Sequence, residues 1–275
     1  MTERRSPFLW IGAGIVALVA LVAVLAPVLA PYDPHAVAGP SLASPSGSHL
    51  LGTNDAGQDI LSQLIWGARS SALVAAVAPA LAVAGGVLVG AGAGLLRGWV
   101  DIVAMRIVDV FLAIPPLPLI ILIAALARPT RATVIFAIGL GAWPQVARIV
   151  RSQTLSLGQR GYVEAARGFG AGPLYPLRRH LVPALAPIIA ATFVYWAGTA
   201  VVLQAGLAFL GLSDPTEVSW GGVLNRALGH EGVYFTSEWL WWVLPAGLVI
   251  TVAAVGLAFL AMALEPRSNP RWRRA

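Results

Sequence analysis

The chain has 275 residues, of which 58% are hydrophobic and only 11% are charged, and its formal net charge is +6. Soluble domains carry about 25% charged residues, so this composition excludes an ordinary soluble domain and indicates a polytopic membrane protein. The chain has no cysteine, which excludes disulfides and thiolate metal sites. All of its basic side chains are arginines that lie in short stretches between apolar segments, which favours a role in membrane topology over nucleic-acid binding.

Six apolar stretches approach or exceed the length of about 20 residues that a helix needs to cross the hydrocarbon of a bilayer. The predicted fold class is therefore all-α, with six transmembrane helices and both termini on the same side. The predicted spans are Phe8 to Leu29, Ser71 to Leu96, Ile107 to Ala127, Ala132 to Val150, Pro183 to between Leu203 and Leu212, and Leu240 to Leu264.

The first stretch has a cleaved signal peptide as its alternative interpretation, because Arg4 and Arg5 precede an apolar run. That run is longer than a signal core of about 7–15 residues. The candidate cleavage point after Ala30 is also followed by Pro31, a poor start for a mature chain. We therefore interpret the first stretch as an uncleaved membrane helix.

The stretch before the second span predicts a surface helix. Thr53, Asn54 and Asp55 are candidate N-cap residues, and Asp59 lies early in the helix that follows. We expect the two aspartates to cap this helix and not to bind a metal. The predicted helix is amphipathic and lies flat on the outer membrane surface, with its apolar face formed by Ile60, Leu61, Leu64 and Ile65.

Arginine placement predicts the orientation of the spans. With the N-terminus inside, 14 of the 18 arginines lie in inner loops and tails, and this bias places both termini in the cytoplasm. Segment 151–183 is then a cytoplasmic loop, and residues 213–239 form an acidic outer loop. The four outer arginines are Arg69, Arg128, Arg131 and Arg226.

The outer loop 213–239 predicts a compact turn at its proline, tryptophan and glycine residues. His230 in this loop is expected to be a surface residue and not a metal ligand, because no second histidine or cysteine lies at ligand spacing. The residues that predict the turn are Pro215, Trp220, Gly221 and Gly222.

Three features inside the spans concern helix packing and polarity. Gly86, Gly90 and Gly94 recur every four residues and predict a smooth stripe against which another helix can pack closely. Asp109 is expected at the membrane interface near Arg106. Gln204 in the fifth span either lines a pathway or bonds a neighbouring helix, and the sequence leaves both open.

Two classes of self-powered transport are disfavoured by the sequence. Ion-coupled carriers place carboxylates within their spans, and no such relay is present here. The phosphate-binding loop of NTPases requires a lysine, and this chain has none. Any ATP hydrolysis must therefore take place on another polypeptide.

Segment 151–183 combines charge, small residues and glycine between two apolar spans. Tyr162 to Phe169 predicts a short helix, Gly170 or Gly172 can end it, and Pro173 can open a second one. We therefore predict a helix–turn–helix elbow on the membrane surface, with an alanine face that is open to another protein.

This elbow carries a recognisable pattern. The run Glu164-Ala165-Ala166 is followed by Gly170 and then by His180-Leu181-Val182-Pro183. It resembles the EAA loop of ABC importer permeases, in which isoleucine and leucine stand at the places of His180 and Val182. Other stretches resemble the second, C-type permease of the dipeptide/oligopeptide/nickel branch, namely residues 49–71, 97–115 and 207–225.

The resemblance implies a type I ABC importer permease fold and a division of the chain into three parts. Residues 1–70 hold the N-terminal tail, the first helix and the surface segment. Residues 71–264 form the core permease domain, and residues 265–275 form a basic cytoplasmic tail. The implied function is to form half of an ATP-driven, binding-protein-dependent path for short peptides. Nickel or a metal chelate is the alternative cargo, and a stand-alone channel or secondary carrier is the alternative of another class.

The resemblance also implies partners and a location. These are a second, homologous permease in a heterodimer, two cytoplasmic ATP-binding subunits or one fused ATPase, an extracytoplasmic substrate-binding protein and the lipid of a bacterial cell membrane. No catalytic residue, cofactor or metal is expected in this chain, because ATP and magnesium would be bound by the ATPase subunits. The implied ATPase-coupling residues are Glu164, Ala165, Ala166, Arg167, Gly170 and Pro183.

Overall fold

The structure is a computed structural model that describes residues 7–161, 175, 179 and 181–268. The described part of the chain is helical, which confirms the all-α class. A short 3₁₀ turn at Glu238–Leu240 precedes the last helix. The helices are α1 Pro7–Leu29, α2 Ile60–Leu96, α3 Gly98–Ala113, α4 Pro116–Leu126, α5 Arg131–Gly158, α6 Val182–Phe209, α7 Trp220–Gly229 and α8 Val243–Ser268.

Five helices of the described part are long and apolar enough to cross a membrane, namely α1, α2, α5, α6 and α8. The pair α3 and α4 makes a sixth span if the two are counted together. The predicted first, fifth and sixth spans agree with α1, α6 and α8 to within a few residues.

The second predicted span is one long helix, and the separate surface helix before it is wrong. Helix α2 runs for 37 residues from Ile60, with no interruption before Ser71. Ile60 is fully buried and Leu64 nearly so, in a cluster that includes Trp220 and Trp242. The face that predicted a membrane-surface helix therefore packs against protein.

The N-cap of α2 also differs from the prediction. The Asp59 carboxylate accepts a hydrogen bond from the backbone N–H of Ser62 at 2.8 Å, as an N-cap residue does. Its other oxygen lies 3.0 Å from Nδ1 of His49. Asp55, predicted as a cap, instead pairs with Arg226 at 2.6 Å. Asp59 therefore starts α2 and joins it to the preceding segment.

The third predicted span is wrong as a single helix, because the chain bends by 83° between α3 and α4. Two consecutive prolines, Pro115 and Pro116, supply no backbone N–H to continue α3. Ile114, which precedes them, is held in an extended conformation with φ −86° and ψ 125°, as expected before a proline. The prolines therefore set the position of the bend.

Helix α5 extends beyond the predicted fourth span at its C-terminal end, to Gly158. Thr130 caps its start by accepting a hydrogen bond from the N–H of Thr133. Its last two turns carry Arg151, which pairs with Asp101 of α3, and Thr154, which is buried against α2. Arg151, which was predicted to begin a cytoplasmic loop, is thus part of a helix–helix contact.

The glycine stripe of α2 packs directly against α5, as predicted. A Cβ at Gly86 would lie 2.5 Å from Cβ of Val146, and one at Gly94 would lie 2.8 Å from Cβ of Thr154. A Cβ at Gly90 would overlap the carbonyl oxygen of Ala147. The backbones of α2 and α5 therefore approach closely only because these positions lack side chains.

The two ends of the bundle differ in content. We call the end formed by residues 30–59 and 210–242 the loop-rich end. It is held together by Trp220, whose Nε1 donates to the carbonyl oxygen of Leu64 at 2.9 Å, and by the Arg226–Asp55 pair. The opposite end holds the C-termini of α2 and α5 and the N-terminus of α6.

Candidate functional site

The predicted coupling residues lie mostly outside the described part of the chain. This holds for Glu164, Ala165, Ala166, Arg167 and Gly170, so the predicted elbow stays a prediction. Pro183 is described, as the second residue of α6, where it is exposed. Proline is favoured in a first helical turn, because its missing N–H would have no partner there.

Helices α5 and α6, which flank residues 159–181, are firmly packed at the end of the bundle opposite the loop-rich end. Leu181 and Leu185 are buried at the start of α6, in a cluster with residues of α2 and α5. Helix α5 reaches the segment directly, at Gly158. Because α5 and α6 are packed where they meet the segment, a displacement of the segment would be transmitted to both helices.

Two ion pairs join α3 to α5 towards this end. Arg151 forms a bidentate pair with Asp101, in which its second nitrogen lies 2.6 Å from Oδ2. Arg148 donates to Asp109 at 2.6 Å, an ion pair that the sequence did not predict. The Arg151–Asp101 pair is the less exposed: its side chains are 31% and 17% accessible. The side chains of Arg148 and Asp109 are 57% and 48% accessible.

We expect Asp101→Asn to lower the free energy of unfolding by about 1–3 kcal/mol, because it breaks a bidentate, charge-assisted contact that is partly buried. Asp109→Asn is the matched control on the same helix. Its more exposed pair should change stability by about 0–1 kcal/mol. Thermal unfolding of both purified variants in detergent compares them, and equal losses would contradict the ranking.

Gln204 belongs to a polar network at the loop-rich end that joins three helices. Its Nε2 donates to Oγ of Ser70 on α2 at 3.3 Å, and Ser70 in turn lies 3.5 Å from Oε2 of Glu217. The same carboxylate oxygen accepts from Nε of Arg131 on α5 at 2.7 Å. Gln204 is 5% exposed, and its Oε1 accepts no hydrogen bond from the described residues.

A small cavity of about 10 Å³ lies at the centre of this network, and we call it the polar pocket. It borders a larger polar cleft of about 460 Å³ at the loop-rich end, with which it shares the residues between α6 and α7. The polar side chains that line the pocket are Ser70, Arg131, Gln204, Ser213, Asp214, Glu217 and Ser219.

Sequence reasoning identified Gln204 but missed its neighbours. Ser70 was not singled out, and Glu217 was included only as part of the acidic outer loop 213–239. Arg131 and Glu217 are 86 positions apart, and no local pattern relates them. Their opposite charges in outer loops were the only signal.

Asp214 carries a stable negative charge beside the polar pocket. The hydroxyl of Thr216 donates to its carboxylate at 2.6 Å and the backbone N–H of Thr216 at 2.9 Å. These hydrogen bonds, with a smaller contribution from Arg131, hold the pKa of Asp214 below its ordinary value of 3.8. The carboxylate is therefore ionised at neutral pH.

This lowered pKa predicts a pH dependence. Asp214 stabilises the fold at any pH above its unfolded-state pKa, and the contribution is lost as the pH falls through the lower folded-state pKa. At a pH of about 6–8, the wild type should therefore unfold at a higher temperature than Asp214→Asn. The difference should shrink below the ordinary carboxyl pKa of 3.8. A difference that is independent of pH would contradict this role.

The outer-loop predictions require two corrections. The predicted turn at Trp220, Gly221 and Gly222 is the first turn of α7, capped by the hydroxyl of Ser219, which accepts from the N–H of Gly222 at 3.2 Å. His230 is half-buried and lies 3.7 Å from a carboxylate oxygen of Glu238. Both differences accompany the packing of α7, which belongs to this loop, against α2 and α8.

Comparison with known proteins gives two family matches. Residues 86–274 match the family described as binding-protein-dependent transport system inner membrane component. Residues 4–48 match the N-terminal transmembrane domain of oligopeptide transport permease C. The two matches together span most of the chain.

Curated relatives align with almost the whole chain. A putative peptide permease protein of Brucella suis biovar 1 is 33% identical over 98% of this chain and 91% of its own length. A putative peptide transport system permease protein of the same organism is 34% identical over 98% and 89%. A probable D,D-dipeptide transport system permease protein of Escherichia coli K12 is 31% identical over 98% and 89%.

Proposed function

Since the chain belongs to the family of binding-protein-dependent transport system inner membrane components, we propose that it carries short peptides across the membrane. The chain is a multi-pass permease subunit of an ABC importer with a type I permease fold. It is not an enzyme, because ATP is hydrolysed in partner subunits of such systems. A stand-alone channel or carrier is therefore the wrong class.

The observation that carries the peptide proposal is the agreement among relatives. Proteins that are 31–34% identical over 98% of this chain are named peptide or dipeptide permeases. The polar cleft supports this cargo, because its volume of about 460 Å³ lies within the range of about 300–1,000 Å³ that is usual for small-ligand sites.

The proposed assembly has four kinds of component. A second, homologous permease completes the path as a heterodimer, and two ATP-binding subunits, or one fused ATPase, bind ATP and magnesium. An extracytoplasmic binding protein delivers the peptide to the loop-rich end. The 14 arginines of the inner loops and tails support a bacterial inner-membrane location with both termini in the cytoplasm.

The proposed coupling element is the segment between α5 and α6. Glu164, Ala165, Ala166, Arg167 and Gly170 would contact the ATPase, with Pro183 starting α6 behind them. Small side chains allow close docking, and the packed starts and ends of the flanking helices support transmission of a displacement. Closure of the ATPase pair on ATP would then open the bundle at the loop-rich end.

Reconstitution tests the proposal. Proteoliposomes that hold this chain, its partner permease, the ATPase subunits and the binding protein should accumulate labelled dialanine when ATP is supplied. Omission of ATP, or of this chain, should abolish the accumulation. Uptake of a nickel chelate without uptake of any di- or oligopeptide would overturn the peptide proposal, while leaving the family assignment intact.

A further inference from the structure

Gln204, which lines the polar pocket, carries a buried acceptor without a partner among the described residues. Oε1 of Gln204 is shielded from solvent and receives no hydrogen bond from the described residues. An unpaired buried polar atom of this kind destabilises the fold. Such groups are uncommon in native proteins, so each one points to a bound molecule or to a functional role.

The orientation of the Gln204 amide follows from the hydrogen-bond directions. The Glu217 carboxylate oxygen that accepts from Arg131 lies 3.5 Å from Oγ of Ser70, within reach of donation by the Ser70 hydroxyl. The Ser70 oxygen then accepts from the Gln204 amide, which must present its NH₂ group. The carbonyl oxygen of Gln204 therefore faces away from Ser70 and requires a donor from another source.

The size and charge of the pocket define this donor. A volume of about 10 Å³ accommodates one group the size of a water molecule. Two carboxylates, Asp214 and Glu217, face one guanidinium, that of Arg131, so the lining has an excess negative charge. A carboxylate would be repelled, whereas a primary ammonium group is the size of water, is positively charged and has three N–H donors.

We infer that the polar pocket binds the protonated α-amino group of the transported peptide, while the polar cleft holds the rest of the molecule. This inference rests on the proposed function. The α-amino group of a peptide has a pKa of about 7.7–8.0, so it is protonated at neutral pH. Gln204 and the two carboxylates supply its acceptors, and Ser70 positions the Gln204 amide.

Binding to the assembled transporter, without the binding protein, tests the site directly. The probes are dialanine and N-acetyl-dialanine, which differ in the ammonium group, and the complex is held in lipid nanodiscs. Dialanine should bind about tenfold or more tightly than its acetylated form. Gln204→Met and Glu217→Gln should each weaken dialanine binding by about the same factor and leave the acetylated peptide unaffected.

Two controls separate binding from folding. Glu231→Gln removes an exposed acid of the same loop that does not line the pocket, and it should bind dialanine like the wild type. Gln204→Met preserves side-chain volume and removes the unpaired acceptor, so its unfolding temperature should stay equal or rise. If Gln204→Met does not fold, Glu217→Gln decides the result.

Equal binding of both peptides, wild-type binding by the two pocket variants, or no binding of dialanine at millimolar concentration would overturn the inference. The pocket would then hold an ordered water only. The ATP-driven uptake assay separates this outcome from failure of the proposed function. Dialanine uptake without discrimination at the pocket overturns the inference alone, whereas absence of uptake of every peptide overturns the proposed function.

Discussion

Replacement of Gly90 with alanine is expected to force α2 and α5 apart and to lower the free energy of unfolding by about 1–3 kcal/mol. The added Cβ would overlap the carbonyl oxygen of Ala147 and would lie 3.0 Å from the backbone nitrogen of Arg151. Both are backbone atoms of a packed helix, so no side-chain rotation can relieve the overlap. The higher helix propensity of alanine, about 1 kcal/mol at most, offsets only part of the loss.

Gly92→Ala is the matched control for this prediction. It lies on the same helix two residues away, and a Cβ there meets nothing within 4 Å. Its stability should rise by roughly 0.5–1 kcal/mol, because alanine restricts the unfolded chain more than glycine does. Thermal unfolding in detergent measures both changes. An unaltered Gly90→Ala protein would mean that the glycine stripe does not set the distance between the helices.

Reversal of the charge at Glu164 is expected to abolish peptide uptake and to leave the fold intact. If Glu164 pairs with a basic or hydrogen-bonding group of the ATPase, Glu164→Lys places like charges together at the interface. Such a change costs about 2–5 kcal/mol of docking free energy, which weakens the contact by about 30-fold or more. ATP hydrolysis by the ATPase should continue without transport. Gly170→Trp, which adds bulk to the same segment, should have the same effect.

Parallel measurements of uptake and ATP hydrolysis in proteoliposomes test this uncoupling. Gln159→Lys is the control, because Gln159 is exposed at the end of α5 and the change adds positive charge on the same side of the membrane. It should retain uptake. Full transport by Glu164→Lys would remove the coupling role from this segment, whatever the effect on ATP hydrolysis.

The membrane helices were largely predictable because each needs a long apolar run, and such runs are visible in the chain. The glycine stripe was predictable for a related reason. A spacing of four residues places Gly86, Gly90 and Gly94 on one face of any helix, and small residues on one face are useful mainly where another helix approaches closely.

The errors arose where local patterns conflict with tertiary contacts. Hydropathy alone merged α3 and α4, although the consecutive prolines at 115 and 116 carried the signal for a break. The amphipathic face that starts at Ile60 looked suited to a lipid surface, but Trp220, 160 positions later, covers it. Arg151 looked like the start of a loop, because its partner Asp101 lies in the first half of α3, before the predicted third span begins.

The polar pocket was the least predictable feature, because its members come from four separate elements. Gln204 was conspicuous as an amide in an apolar span. Its contact with Ser70 spans 134 positions and the contact of Ser70 with Glu217 spans 147. Only the folded arrangement of α2, α5, α6 and the loop before α7 brings these groups together.

Because α2 is long, a small change of its tilt at one end produces a larger displacement at the other end. Its glycine contact with α5 lies near one end of the bundle, and Asp59, which caps its other end, precedes Gly90 by 31 residues, or about 46 Å of helix. A tilt of about 5° at the contact would move Asp59 by about 4 Å. His49, which contacts Asp59, and the chain around His49 would move with the N-terminus of α2. A small rotation of α2 at its glycine contact would therefore displace the loop-rich end by more than the diameter of a water molecule.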